Sequence, residues 1–143
     1  MRLSFLVLAT FAVLGIACSR GGDEGRIRDA ISAMQAAVEA REPRDFLRYV
    51  DADFVGNEAG MDREALHNLL RAQVLRNEKI GVTLGPIDVA LQDSRATAKF
   101  TATLTGGSGG WIPERGAVYS VSTGWKKSGG DWMLISATWE RTL

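Results

Sequence analysis

Few side chains in this sequence of 143 residues stand out by type or spacing as candidates for acid–base catalysis. His67 is the single histidine, and imidazole is the side chain whose ordinary pKa lies nearest neutrality. Asp51 and Asp53 are separated by one residue in YVDADFV. Two carboxylates close together can act as acid and base when their pKa values differ. Tyr49 precedes them in the same segment. The candidate catalytic groups are therefore Asp53, His67 and Tyr49.

Each of these residues can also have a purely structural role, and we favour the structural role over a catalytic one. A lone histidine is more often a half-exposed or hydrogen-bonded structural residue than a catalytic base. The segment that holds Asp51 and Asp53 is also where a helix is expected to end, and acidic residues are common in turns. The sequence thus favours a non-catalytic binding domain. The alternative is a small cofactor-free enzyme of isomerase, dehydratase or hydrolase type that acts on an apolar substrate.

The composition gives little support to metal, cofactor or nucleic-acid chemistry. Cys18 is the only cysteine, which excludes thiolate metal clusters, and one histidine argues against a zinc site. The glycine-rich GGSGG at 106–110 lacks the Lys-Ser/Thr pair of a phosphate-binding loop. Leaving out Arg2, 16 of the 17 basic residues remain against 17 acidic ones, a balance that argues against nucleic acid as a partner. We expect no cofactor and no metal.

The start of the chain predicts export. Residues 3–17 are apolar except for Ser4 and Thr10, and they follow a single cation, Arg2. A bilayer-spanning helix needs about 20 apolar residues, so this shorter run is typical of a cleaved signal peptide. We expect residues 1–17 to be removed.

The only cysteine, Cys18, follows this run in LGIAC. The segment resembles the lipobox of bacterial lipoproteins, although Gly15 stands where leucine is usual. The resemblance implies cleavage before Cys18, lipid on that residue, and a firm membrane anchor through the buried acyl chains. Ser19, where an aspartate would retain the protein at the inner membrane, implies the periplasmic face of the outer membrane. The alternative is ordinary cleavage after Ala17, which would give a secreted protein with a free thiol.

Apolar spacing predicts three helices in the first half of the remaining chain. A polar, glycine-rich tether over residues 18–25 leads into a first helix from 26 to about 41. A second, short helix begins at Pro43, because proline suits the first helical turn. The third is capped by Asp62 and ends near Asn77.

Alternation with a period of two follows the helices and predicts strands. The clearest run, 96–105, places Phe100 on the buried face and Thr101 on the other. Further strands are expected around 87–92 and 118–125, with KKSGGD as the hairpin turn before a last strand that starts at Trp132. That strand is apolar on both faces near its middle, so the sequence does not show which face points inward.

Helices followed by antiparallel strands predict one α+β domain, a curved antiparallel sheet wrapped by three N-terminal helices. The segments EAREPRDFLRYVDADFV and SGGDWMLISATWE resemble the opening helices and closing strand of the nuclear-transport-factor-2-like superfamily, which includes SnoaL-like and ketosteroid-isomerase-like proteins. The resemblance covers residues 26–143 and implies a cone with an internal pocket. It does not imply an activity, since such folds host unrelated functions. The steroid isomerases carry a tyrosine on the first helix, where this chain has none.

The resemblance implies a mainly apolar pocket, and we expect Tyr49, Phe54, His67 and Trp111 to border it. Trp111 follows GGSGG, so it is expected on a loop that can cover the cavity. The expected partners are the membrane, through lipid on Cys18, and a small apolar ligand. A third hypothesis is a structural or assembly role, in which the Thr/Ser face of the sheet forms a homodimer.

Overall fold

The chain forms three helices and six strands over the residues that the computed structural model describes, which are 19–57, 59–110 and 113–143. The helices are α1 (Ser19–Glu39), α2 (Pro43–Leu47) and α3 (Arg63–Arg76). The strands are β1 (Val50–Val55), β2 (Lys79–Leu84), β3 (Asp88–Gln92), β4 (Arg95–Gly107), β5 (Arg115–Ser128) and β6 (Asp131–Arg141). The predicted α+β class and single domain are confirmed.

Helix α1 is longer than its sequence predicts. Within the described residues it already includes Ser19, so residues 19–25, expected to be a flexible tether, are helical. The reason is tertiary: Asp23 accepts hydrogen bonds from Lys127 and Trp132, and these hold a glycine-containing turn whose own helix propensity is low. Beyond it, the predicted apolar stripe is buried: Ile27, Ala30, Ile31 and Met34. In the described ranges, no helix is both long and apolar enough to cross a membrane.

Helix α3 begins at the predicted cap. The Asp62 carboxylate accepts a hydrogen bond from the Ala65 backbone N–H at 2.8 Å, which satisfies one of the free donors at a helix start. Met61 and Leu66, on either side of the cap, both pack in the core, as a hydrophobic staple requires. The helix ends at Arg76, one residue before the predicted end.

The strands form one six-stranded sheet in the order β1-β6-β5-β4-β2, with β3 also pairing to β4. Most pairs are antiparallel, but β1 pairs with β6 in parallel, which corrects the prediction of a wholly antiparallel sheet. Parallel neighbours need a long connection, and here α3 and four strands provide it. The β5–β6 hairpin turns at Gly129 and Gly130, both with positive φ (59° and 92°), as a two-residue type I′ turn demands.

A β-bulge explains why the inward face of β6 could not be read from the sequence. The register shifts opposite Gly124/Trp125, where Gly124 pairs with Ser136 and Trp125 with Leu134. Ile135 is the extra residue in β6. The buried face of the strand therefore passes from even-numbered residues before the bulge, Trp132 and Leu134, to an odd-numbered residue after it, Ala137. A strict two-residue alternation cannot describe such a strand.

Strand β2 was not predicted, and side chains of α1 cover its outer edge. The Gln35 amide donates to the Val82 carbonyl at 2.7 Å, and the Glu39 carboxylate accepts from the Val82 N–H at 2.9 Å. These bonds occupy polar backbone groups that an exposed edge strand would otherwise present to another chain.

The core lies between the helices and the concave face of the sheet. Its largest fully buried side chains are Trp125, Phe54 and Ile27. The alternation in β4 is confirmed, since Ala96, Ala98 and Ala102 are buried and Thr101 is exposed. Phe100 faces the same side as those alanines but is only half-buried, because the space in front of it is open.

Candidate functional site

A cavity of about 870 Å³, open to solvent on part of its surface, lies between the helices and the sheet. Its wall takes residues from all three helices and from strands β1, β2, β4, β5 and β6. Most of these side chains are apolar, among them Met34, Leu70, Phe100, Val121 and Leu134. A volume between about 300 and 1,000 Å³ with a mainly apolar wall is typical of small-molecule sites.

The polar groups deepest in the wall are paired with one another. The Trp125 indole N–H donates to the Thr123 hydroxyl at 2.9 Å, and that hydroxyl donates to the Ala98 carbonyl at 3.0 Å. Thr123 is 5% exposed and Trp125 is 1% exposed. Both side chains are thus satisfied internally, and this end of the cavity offers a ligand mainly apolar surface.

Charged side chains are found at the opposite end of the cavity wall. They are Arg76 at the end of α3, Glu114 and Arg115 at the start of β5, and Arg141 at the end of β6. Antiparallel pairing brings the end of β6 beside the start of β5, so the four share one end of the cone. We call Arg76, Arg115 and Arg141 the arginine rim.

Asn77 organises one side of the arginine rim. Its amide oxygen accepts a hydrogen bond from Arg115 at 3.0 Å, and its amide nitrogen donates to the Gln73 carbonyl at 3.0 Å. Arg115 also donates to the Arg76 carbonyl at 3.3 Å, so it caps the end of α3. A Cβ at Gly106 would overlap the Asn77 amide, which explains the glycine at this close approach.

The other side of the rim joins β5 to β6. Tyr119 and Arg141 are register partners, and both lie in the cavity wall. The Arg141 guanidinium donates to the Leu143 carbonyl at 2.9 Å. Glu114, the acidic side chain that the described part of the wall contains, accepts a hydrogen bond from the Ser108 hydroxyl.

Of the residues predicted to border a pocket, Phe54 lies in the cavity wall, whereas Tyr49 and His67 do not. The Tyr49 carbonyl accepts a hydrogen bond from the Leu134 N–H at 2.8 Å, and its ring packs partly against the core. His67 is half-buried on α3, where its neighbour Leu66 takes the inward position. Trp111 and Cys18, with residues 1–17, lie outside the described residues.

The candidate catalytic groups are not brought together. No hydrogen bond joins any two of Tyr49, Asp53 and His67 in the described structure. Asp53 is exposed, because β1 turns Val50 and Phe54 inward instead. The Asp51 carboxylate accepts from the Asp53 N–H and lies 3.1 Å from the Lys126 ammonium. Those two partners, the backbone N–H first, hold the pKa of Asp51 below its ordinary value. Neither aspartate lies in the cavity wall, so the pair is not placed to act on a ligand there.

The described residues contain no group of three or more His, Cys, Asp or Glu side chains that could hold a metal ion. The arginine rim was missed from the sequence, although one signal was present. The alternation Tyr119, Val121, Thr123, Trp125 extends back through Ala117 to Arg115, and these side chains all lie in the cavity wall.

Comparison with known proteins gives structural likeness without sequence likeness. No protein-family profile matches the sequence, and no curated protein matches it. A proposed dehydratase of the nuclear-transport-factor-2-like family from Streptomyces avermitilis superimposes with a TM-score of 0.74 and 16% identity, over 87% of this chain and 99% of that one. The hexachlorocyclohexane dehydrochlorinase LinA type 2 gives 0.72 and 10%, over 87% and 88%.

Bd1075 from Bdellovibrio bacteriovorus gives a TM-score of 0.69 and 14% identity. The match covers 86% of this chain but 44% of Bd1075, so the chain spans less than half the length of that protein. Likeness at 10–16% identity establishes the arrangement of helices and strands, and no activity follows from it. The chain therefore has the nuclear-transport-factor-2-like fold.

Proposed function

We propose that the chain is a cell-envelope lipoprotein, held to the membrane by lipid on Cys18, whose domain binds a small apolar ligand without reacting with it. The observation that carries the binding role is the cavity itself: about 870 Å³ of mainly apolar space. Asp53, His67 and Tyr49 all lie outside its wall. An enzyme needs acid and base groups within reach of a common substrate position.

The deep end of the cavity supports binding through apolar contact. The polar groups of Thr123 and Trp125 are already satisfied there, so a ligand group that is itself polar would find few partners. Burying an apolar ligand surface is favourable by roughly 25 cal/mol per Å². A few polar groups at the far end are enough to fix orientation.

An enzyme is the second candidate, and one observation favours it. Tyr119 and Arg141 are paired across β5 and β6 in the cavity wall, where a phenol could act as an acid beside a cation. Proteins with this fold include the dehydrochlorinase LinA type 2. A screen with secondary alcohols, epoxides and unsaturated ketones tests this candidate: a turnover that Tyr119→Phe removes, with the fold intact, would replace the binding proposal.

The assembly hypothesis has less support. It requires an exposed apolar patch beside the threonines of β4. The large apolar side chains most exposed in the described part of the chain are Val55, Leu69, Leu75, Leu104 and Leu143. Leu69 and Leu104 line the cavity, and the others lie outside β4 and β5. A homodimer through the sheet face stays a prediction.

The binding proposal is tested with N-phenyl-1-naphthylamine, an uncharged apolar dye whose fluorescence rises in an apolar site. Ala117 is half-buried in the cavity wall, so Ala117→Trp should fill the space and weaken dye binding at least about tenfold. The control is Ala90→Trp, at an exposed position on β3. Equal dye binding by both variants, with both folded, would contradict a ligand in this cavity.

The anchor is tested separately. Intact-mass measurement of the full chain extracted from bacterial membranes should show acyl groups on Cys18, and Cys18→Ser should release the domain into the soluble fraction. A soluble native protein with a free thiol would contradict the anchor and leave the cavity proposal standing.

A further inference from the structure

The charges in the cavity wall are unequal. Among the described residues of the wall, three arginines, Arg76, Arg115 and Arg141, stand against one glutamate, Glu114, and all four are at the same end. In the described part of the chain, no Asp or Glu side chain forms an ion pair with these arginines, since the ion pairs there involve other residues; Arg141 donates to the Leu143 main-chain oxygen. This end of the cavity therefore carries an excess of positive charge beside apolar space.

Part of this positive end is held in place before any ligand arrives. Arg115 donates to the Asn77 amide oxygen and to the Arg76 carbonyl through one terminal nitrogen, Nη1. An arginine side chain has five N–H donors on three nitrogens, and among the described residues none accepts a hydrogen bond from the Nε and Nη2 donors of Arg115, so these donors can serve a ligand. A side chain already fixed in this way loses less conformational entropy when it binds.

The rest of the cavity offers a different chemistry. Between the arginine rim and the Thr123–Trp125 pair, the wall is formed mostly by aliphatic and aromatic side chains such as Leu104, Phe100 and Val121. One occupant that matches both regions has an apolar body and a negatively charged group at one end.

We propose that the cavity binds an elongated apolar molecule with a carboxylate head, oriented with the carboxylate at the arginine rim and the apolar part toward Trp125. The planar guanidinium group pairs with a carboxylate through parallel hydrogen bonds, and such charge-assisted bonds are stronger than neutral ones. This inference rests on the proposed binding role and adds to it the class and direction of the ligand.

The test uses the chain from Ser19 to Leu143, which contains every buried core residue described, from Ile27 to Ala137. Dodecanoate, dodecanol and dodecylammonium have the same tail and differ in head-group charge. Each is titrated by displacement of bound N-phenyl-1-naphthylamine, below the concentration at which it forms micelles. Dodecanoate should bind at least about tenfold more tightly than dodecanol, and this advantage should shrink as salt is added.

Variants of the arginine rim then show which arginine binds the carboxylate head group. Arg115→Gln should reduce the advantage of dodecanoate over dodecanol to less than about threefold. Because Arg115→Gln can also loosen the end of α3, Arg141→Gln is tested as a second variant. It should reduce the advantage of dodecanoate over dodecanol in the same way. The matched control is Arg71→Gln, an exposed arginine of α3 outside the cavity wall, which should behave as the unaltered chain.

The other outcomes separate the two proposals. Equal affinity for dodecanoate and dodecanol overturns the carboxylate class while the binding role stands. Preference for dodecylammonium overturns it in favour of Glu114 as the anchoring group. A dodecanoate preference that neither rim variant reduces overturns the assigned position. Displacement of the dye by none of the three compounds, or no dye binding at all, overturns the binding role itself.

Discussion

Lys127, at the end of β5, forms an ion pair with Asp23 in the first turns of α1, 104 residues earlier in the chain. The Lys127 ammonium lies 3.0 and 3.1 Å from the two oxygens of the Asp23 carboxylate. The Trp132 indole N–H donates to the same carboxylate at 3.1 Å, and Arg26 donates to the Gly130 carbonyl at 3.0 Å. These contacts hold the start of α1 against the β5–β6 hairpin.

The Asp23 contact should make stability depend on pH in the acid range. The Trp132 and Lys127 hydrogen bonds lower the pKa of Asp23 from its ordinary value of 3.8. A carboxyl group whose pKa is lower in the folded than in the unfolded state stabilises the fold at pH values above its unfolded-state pKa. This stabilisation is lost as the pH falls through the folded-state pKa. Urea unfolding should show Asp23→Asn less stable than the unaltered chain above about pH 5, with the difference shrinking below pH 3.8.

Asp131→Asn is the control for this measurement, because Asp131 is exposed at the same hairpin and has no side-chain hydrogen bond among the described residues. A difference between Asp23→Asn and the unaltered chain that stays constant down to pH 2 would contradict the assignment.

The position of α1 also predicts how an anchored domain stands on a membrane. Cys18 directly precedes Ser19, and the start of α1 is fixed to the hairpin, whereas the arginine rim lies at the far end of β5. The 14 residues of β5 span roughly 40 Å at about 3.3 Å per residue. If the proposed lipid anchor is present, the arginine rim should therefore point away from the bilayer.

Fluorescent labels on single introduced cysteines measure this orientation, since the proposed lipid would block the thiol of Cys18. Ser128→Cys marks the hairpin and Gly110→Cys marks the end that holds the arginine rim, at a position with open space around it. Quenchers in the lipid head-group region should reduce emission from position 128 more than from position 110. Equal quenching, in protein whose mass shows the acyl groups, would mean that the domain lies along the surface.

Thr123 should contribute to stability through its hydroxyl. Thr123→Val would leave the buried Trp125 N–H without its acceptor, and an unsatisfied buried donor costs about 1–3 kcal/mol. Thr123→Ser keeps the hydroxyl and should retain most of that stability. Denaturant unfolding of the two variants checks this: a valine variant as stable as the serine variant would show that the hydrogen-bonded pair contributes nothing.

Phe100 and Thr101 should differ in their effect on stability, but less than full burial would require. Phe100 faces an existing cavity and is half-buried. Phe100→Ala should therefore cost about 1–3 kcal/mol, below the 3–5 kcal/mol of a buried aromatic side chain. Thr101→Ala, at an exposed position, should cost less than about 1 kcal/mol. If the two variants lose the same free energy of unfolding, the assignment of Phe100 to the inner face of β4 and Thr101 to its outer face is wrong.

Local signals in the sequence were sufficient for several elements. The Asp62 cap, the alternation of β4 and the glycine turn before β6 depend on neighbours a few residues away, and the structure has each of them. Pairings between distant segments left no such signal. The parallel contact of β1 with β6, and the bulge at Ile135, depend on how the whole sheet closes.

The candidate site was predicted less well than the fold, and for the same reason. Asp53 and His67 were chosen for their chemistry, but their direction depends on which neighbours turn inward, and Phe54 and Leu66 take those positions. The arginine rim joins residues from α3, β5 and β6, which are up to 65 residues apart in the sequence. Only the closed sheet brings them to one end of the cavity.

Intermolecular contacts measured by methyl NMR test the central claim, a ligand inside the cone, most directly. The chain from Ser19 to Leu143 would carry labelled methyl groups and bind N-phenyl-1-naphthylamine. We predict nuclear Overhauser contacts from the naphthyl protons to Val82, Val121 and Ala137, which line the cavity. We predict none to Val55, Leu75 or Leu143, which are exposed outside its wall. Contacts to the exposed group alone would place the ligand on the surface and contradict the account.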